Sequence, residues 1–410
     1  MSSPKARLAW PDIAKGISIL GVVLLHVTLT VPESSETRLA ALNLWLDPLR
    51  LPLFFLVSGY FSTKVFNFTF PQLFARRLWY FIVPYVVWMA VELQVKRLEL
   101  HWVFESDIFD RNEMLFNMVF GHTMAWFIHS LIFFNIFLWC VRKLPGWLAV
   151  LLSFMPLLFM AWQAHFTFIA KAMMFLPMFV AAAFFRDWIT RFASEIEAPF
   201  KGHFSLSTVF FYGGTIVAYL CGSFFRRAWD SYPEEVFIPW PLPGAEYLTS
   251  NEVHILVRFV EQALEVPLGI VLAIWVSYVP VLSKGLRFIG SHTLPIYLAH
   301  PIGLTVGYGF FMAWFPHEVT LHGEHLLDNT WFWLIACFVF AAIASLALWA
   351  LGRVPIVGWL LKPPDISHLI DAPAQQDYHP ENTPPEDTPR KDPKAHRRER
   401  AHCCSARRRD

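Results

Sequence analysis

Apolar and polar residues follow one another in long blocks along this chain, with none of the strict alternation that half-buried strands show. A membrane-spanning helix needs roughly 20 mostly apolar residues. Ten blocks meet that requirement, at about 13–31, 44–63, 78–96, 124–141, 146–164, 168–186, 205–224, 255–281, 293–315 and 331–351. No internal repeat and no matched pair of broken segments relates the two halves. The pattern predicts an all-α polytopic membrane protein of about ten transmembrane helices, with its membrane domain over residues 1–362. Residues 363–410 are rich in Pro and charge and poor in apolar side chains, and read as a disordered tail. The basic end of that tail suits contact with anionic lipid. A solvated tail without a specific task is the plainer and preferred reading.

Composition agrees. Of 410 residues, 56% are hydrophobic, 17% aromatic and 16% charged, whereas soluble proteins average about 25% charged residues. The formal net charge of +1 excludes a strongly basic nucleic-acid binder. Cys140, Cys221 and Cys337 lie in apolar runs and Cys403 and Cys404 in the tail, a spacing that gives neither a disulfide framework nor a metal site. Lys5, Arg7 and Lys15 before the first apolar block suggest a secretory signal, but no small-residue cleavage pattern follows, so residues 13–31 read as a retained span.

Basic residues then orient the spans. Lys5, Arg7 and Lys15 precede the first span, and Lys64, Arg76 and Arg77 follow the second. Arg142 and Lys143 follow the fourth, Arg186, Arg191 and Lys201 the sixth, Lys284 and Arg287 the eighth, and Arg353 and Lys362 the tenth. All share one side if both termini are cytoplasmic. The opposite loops are acidic, with Lys96, Arg97, Arg226 and Arg227 as exceptions near span ends. The expected location is therefore the plasma membrane, multi-pass, with both termini inside.

The first span carries polar residues that lipid would not tolerate. At about 100° per residue, Lys15 falls near −60°, Ile19 near −20° and His26 near −40° from Asp12. Asp12, Lys15 and His26 thus form one stripe. A charged group in hydrocarbon costs several kcal/mol unless it faces the bundle interior or a cavity, so the stripe should face inward. Fourteen residues separate Asp12 from His26, about 21 Å at 1.5 Å per residue, which puts His26 in the outer half of the membrane. His129, in the span that runs back from Thr123, sits at a similar depth, and His300 lies beside Pro301 in "SHTLPIYLAHP". A polar pocket lined by several helices is the expectation. A lone intramembrane histidine is more often a packing residue bonded to a neighbouring helix. That alternative stays open for His129 and His300.

Five stretches, in order, resemble the integral membrane acyltransferase-3 family. They are "WPDIAKGISILGVVLLHV", "LPLFFLVSGYF", "AWFIHSL", "FLPMFVAAAFF" and "SHTLPIYLAHP". The likeness runs from residue 8 to about residue 352. The chain departs from the family pattern in three places. In "FLPMFVAAAFF" Ala replaces the usual Gly. Arg76 and Arg77 are adjacent where relatives carry two arginines three apart, and Lys15 stands where many have Arg, which forfeits bidentate phosphate contacts.

The resemblance implies an acyltransferase that moves groups other than aminoacyl groups, most often acetyl, from acyl-coenzyme A in the cytoplasm to a hydroxyl of an envelope carbohydrate or glycolipid. Lys15, Arg76 and Arg77 would hold the phosphates of coenzyme A, with Arg142 and Lys143 as helpers. His26 would be the general base, with Asp12 orienting Lys15 or the helix end. Arg50, Trp126, His129, Tyr297 and His300 would line the substrate pocket, and no metal is expected. For Arg76 and Arg77 a plain positive-inside anchor is an equal alternative. Asp47 and Arg50, three apart, are placed to pair and to line the acceptor mouth. Arg258, Glu261 and Glu265 share a helix face that either binds a sugar or satisfies its own charges. A rival from another class is a proton-coupled transporter or a lipid or glycan flippase; the missing repeat speaks against it. An envelope polysaccharide, a periplasmic glucan and a glycolipid such as a trehalose mycolate all remain admissible acceptors.

Overall fold

The structure is a computed structural model that describes residues 8–104 and 111–370. The tail beyond Ile370, with Cys403 and Cys404, lies outside the described residues, as do Lys5 and Arg7. The described chain is almost entirely helical. In order the helices are α1 (Trp10–Thr30), α2 (Arg38–Trp45), α3 (Leu51–Tyr60), α4 (Phe70–Leu73), α5 (Trp79–Phe104), α6 (Arg111–Phe120), α7 (Trp126–Val141) and α8 (Gly146–Leu152). They continue as α9 (Thr167–Phe184), α10 (Arg186–Glu197), α11 (Leu206–Asp230), α12 (Ser250–Ser277), α13 (Pro280–Ser291), α14 (Thr293–Leu304), α15 (Phe310–Trp314) and α16 (Thr330–Leu351). Two short antiparallel strands, β1 (Ile238–Pro239) and β2 (Tyr247–Leu248), close the loop between α11 and α12.

The expectation of about ten spans needs a correction. Seven helices are long and apolar enough to cross a membrane, and eight if α2 and the following bent segment count as one span. The second expected span is broken by 54° between Arg38–Trp45 and Asp47–Asn67. Pro48 cannot donate a helical hydrogen bond, and the charged Asp47 and Arg50 take their partners at this break. The fourth and fifth expected spans exist as shorter apolar helices, Trp126–Val141 and Gly146–Trp162. In the latter, α8 gives way after seven residues to a tighter helix, Met155–Trp162, that opens with a proline.

Packing puts α1 at the centre, against α3, α12, α13, α14 and α16. Two glycines let α13 reach it. A Cβ at Gly16 would collide with the Leu286 carbonyl, and one at Gly290 with the Asp12 carbonyl, so backbones touch there as small residues allow in membrane bundles. Gly59 of α3 meets the Phe179 carbonyl of α9 in the same way. Around this frame lies an aromatic core in which Phe55 stacks on Phe175 at 4.8 Å and meets Phe127 at 4.5 Å.

α1 and α16 run antiparallel: the Thr330 hydroxyl donates to the Pro32 carbonyl at 3.1 Å, joining the end of α1 to the start of α16. The first residues of α1 and the last of α16 therefore share one face of the bundle. Trp79 and Trp88 of α5 donate to the carbonyls of Pro364 and Leu360 at 3.1 Å each, which straps the segment after α16 to α5.

Candidate active site

The stripe read from the sequence faces inward. Pro11 occupies the first turn of α1, where its missing N–H costs nothing. Asp12 follows at the positive end of the helix dipole, buried, with the Lys15 ammonium 3.0 Å away. Ile19 is fully buried and His26 half-buried on the same side.

At the near end of the stripe, cations gather around the turn that ends α3. The Lys15 Nζ lies 5.9 Å from the centre of the Phe61 ring. Arg77 donates to the Ser62 hydroxyl at 2.8 Å and to Asn135 Oδ1 at 3.3 Å. Asn135 is fully buried in α7 and fixed by its own bond to the Leu131 carbonyl at 2.7 Å. Arg76 points the other way; it is exposed, over the Phe68 ring at 5.9 Å. Both arginines sit in a single widened helical turn, Phe74–Leu78, a device that often re-aims side chains at functional sites. The structure thus brings Lys15 and Arg77 to one turn and leaves Arg76 outside it. Arg142 folds back onto the Trp139 ring and carbonyl.

Farther along α1, the His26 ring meets the His300 ring of α14 with centroids 5.1 Å apart. The backbone rise from Lys15 to His26 is about 16 Å at 1.5 Å per residue. His300 is completely enclosed, and its Nδ1 lies 2.9 Å from the Ile296 carbonyl. A carbonyl only accepts, so Nδ1 carries the proton and Nε2 of the neutral ring holds a lone pair. That Nε2 is buried without a hydrogen-bond partner. Tyr297, one turn back, stands 6.1 Å from His300. It donates to the Met124 carbonyl at 2.6 Å and accepts from the Phe127 N–H at 3.1 Å, so its hydroxyl is fully engaged in pinning the start of α7.

The remaining expected pocket residues separate from this pair. His129 faces Val119, Tyr85, Phe133 and Phe168; its Nε2 lies 3.0 Å from the Val119 carbonyl. Trp126 stacks on Phe175 at 5.8 Å and receives the Lys171 ammonium over its face at 4.7 Å. Arg50 runs its stem across Gly21 of α1 and binds Asn43 and Asp47. Asp47 also receives Arg258, which lies 3.6 Å from Glu261, and Glu261 is 3.4 Å from Arg226. Glu265 accepts from Ser223 at 2.8 Å. Asp47 and Arg50 pair as their spacing suggested, and Arg258 and Glu261 satisfy each other within that network.

Sequence reasoning missed Asn135 and Lys171 as parts of this interior and Arg186 as a residue at its rim. A polar residue inside an apolar run, as in "FFNIF", was the available signal for Asn135. Arg186 looked like one more inner-loop cation. In the fold it lies over the Tyr60 ring at 4.9 Å and donates to the Thr63 hydroxyl at 3.2 Å.

Among known families, the model described as an acyltransferase domain matches residues 8–349. No curated protein and no solved structure matches the chain.

Proposed function

The chain belongs to the acyltransferase-3 family, and from that premise we propose that this membrane acyltransferase carries an acyl group, acetyl in the simplest case, from cytoplasmic acyl-coenzyme A to a hydroxyl of an envelope carbohydrate or glycolipid. The observation that carries the reading is the His26–His300 pair, 5.1 Å apart, at the far end of a buried stripe that begins with cations.

Donor phosphates bind at Lys15 and Arg77 on the face where α1 begins and α16 ends, which the basic loops mark as cytoplasmic. Arg76, exposed beside them, adds charge at the rim. The pantetheine arm spans the ~16 Å of α1 from Lys15 to His26. The acceptor enters from the opposite face, past the Asp47–Arg50–Arg258 network, with Trp126, His129 and Tyr297 toward its mouth.

The chemistry is direct transfer. His26 removes the proton from the acceptor hydroxyl as the oxygen attacks the thioester carbonyl. The tetrahedral intermediate collapses with cleavage of the C–S bond, and the departing thiolate takes the proton back from the His26 imidazolium. An ester and free coenzyme A result. General-base catalysis of this kind contributes ~10²–10⁴-fold. His300 Nε2, whose lone pair has no partner among the described residues, belongs to the ring 5.1 Å from that of His26; in the reaction it accepts an N–H of His26 once that ring is protonated, which orients the base.

The deciding experiment uses purified protein with labelled acetyl-coenzyme A and extracted envelope glycans and lipids. His26→Ala should abolish labelling of the acceptor while coenzyme A still binds. Retention of most of the wild-type rate would end the assignment of His26 as the base.

A further inference from the structure

We infer that Arg186 is a third cation of the donor phosphate site, together with Lys15 and Arg77; this rests on the donor reading above. The starting point is the contact of α3 with α9. Gly59 lets the α3 backbone touch the Phe179 carbonyl, and seven residues later the corner between α9 and α10 arrives beside the turn that ends α3. A chain of hydrogen bonds fixes it there. The Tyr60 hydroxyl and Thr190 Oγ1 are 2.9 Å apart, and Thr190 Oγ1 donates to the Arg186 carbonyl at 2.9 Å.

Arg186 therefore lies over Tyr60 and bonds Thr63, Lys15 lies over Phe61, and Arg77 bonds Ser62. Three cations from three separate helices converge on four consecutive residues. Lys64, exposed, adds a fourth charge in the turn itself. An ion pair there joins Asp12 to Lys15; among the described residues neither Arg77 nor Arg186 pairs with a carboxylate. Asp187 is exposed beside Arg186. Like charges brought together without matching acids repel one another, and a polyanion relieves that repulsion. Each guanidinium also keeps N–H groups beyond those bonded to Thr63, Ser62 and Asn135, which suits forked contacts to phosphate. Coenzyme A presents several phosphate groups, more than Lys15 and Arg77 alone would neutralise.

The same chemistry could come from a lipid headgroup phosphate, since Arg186 is exposed at the rim. The test separates the two sources. Coenzyme A is titrated calorimetrically into the full-length protein in nanodiscs of phosphatidylcholine alone and of phosphatidylcholine mixed with phosphatidylglycerol. Arg186→Ala should weaken coenzyme A binding roughly tenfold, the equivalent of one charge-assisted hydrogen bond, in both membranes. Arg186→Gln, which retains a donor for Thr63, should show a similar loss, and Arg186→Lys should recover part of it. Lys15→Ala and Arg77→Ala serve as references. If they weaken binding and Arg186→Ala does not, Arg186 is not in the site while the donor reading stands. If all three variants bind coenzyme A like wild type, or wild type does not bind it, the donor reading itself falls. An Arg186→Ala effect confined to the phosphatidylglycerol membrane would make Arg186 a lipid anchor and overturn the inference.

Discussion

Replacing Arg77 with alanine perturbs two things at once, and the structure allows them to be separated. Arg77 donates to Ser62 at 2.8 Å and to Asn135 at 3.3 Å. Asn135 is fully buried, so its Oδ1 is stranded when the guanidinium goes. A stranded buried acceptor costs about 1–3 kcal/mol, which should appear as a lower unfolding temperature. Donor binding loses a charge-assisted bond to phosphate as well, about 1.5–3 kcal/mol, or a roughly ten- to 150-fold weaker affinity for coenzyme A. The double variant Arg77→Met with Asn135→Leu removes both partners and fills the space with apolar atoms, which can be nearly neutral for folding. It should recover most of the stability and none of the affinity. The assays are thermal unfolding followed by tryptophan fluorescence and calorimetric titration with coenzyme A, both on purified full-length protein. If the double variant binds coenzyme A within about twofold of wild type, a change below ~0.5 kcal/mol, Arg77 is a fastener between the turn before α5 and α7 and no part of the donor site.

Two further predictions follow from the pair in the interior and from the arrangement of the ends. His300→Ala should lower acceptor labelling about tenfold or more while coenzyme A affinity is unchanged, because a general base that loses its orienting neighbour forfeits part of its ~10²–10⁴-fold contribution; His300→Gln, which restores an acceptor oxygen, should recover part of the rate, and equal rates for wild type and both variants would remove His300 from the mechanism. In a variant with Cys140, Cys221 and Cys337 changed to serine, a membrane-impermeant maleimide applied to intact cells should leave Cys403 and Cys404 unlabelled until the membrane is opened; labelling before that would invert the proposed orientation.

Helices were the readable part of this chain, and crossings were not. The first apolar block, expected at 13–31, is the helix Trp10–Thr30, and its polar stripe faces the interior as the 3.6-residue period required. The break in the second block is hidden in the sequence because apolar residues continue on both sides of Asp47–Arg50. The amphipathic helices α10 and α13 read as connecting loops, since their basic residues signal sidedness more strongly than they signal a helical period. Which histidine would meet His26 was not encoded locally: depth matched His129 to His26, yet the packing of α14 on α1 brings His300 to it. Arg186 shows the same limit. Its position beside Lys15 and Arg77 follows from the touching backbones at Gly59 and Phe179, and no local pattern encodes such a meeting.

Pro301 sits inside α14, immediately after His300, and has no N–H to offer the Tyr297 carbonyl one turn back. Helix α14 is therefore loosened at the very residues whose side chains pin α7 and meet His26. The His300 imidazole turns back along this weakened stretch and gives its Nδ1 proton to the Ile296 carbonyl. One ring nitrogen is thereby tied to the scaffold, and the other is left in the interior without a partner among the described residues. A residue with neither charge nor donor thus removes a backbone hydrogen bond beside the His26–His300 pair. Substitution scans limited to polar side chains would pass over it.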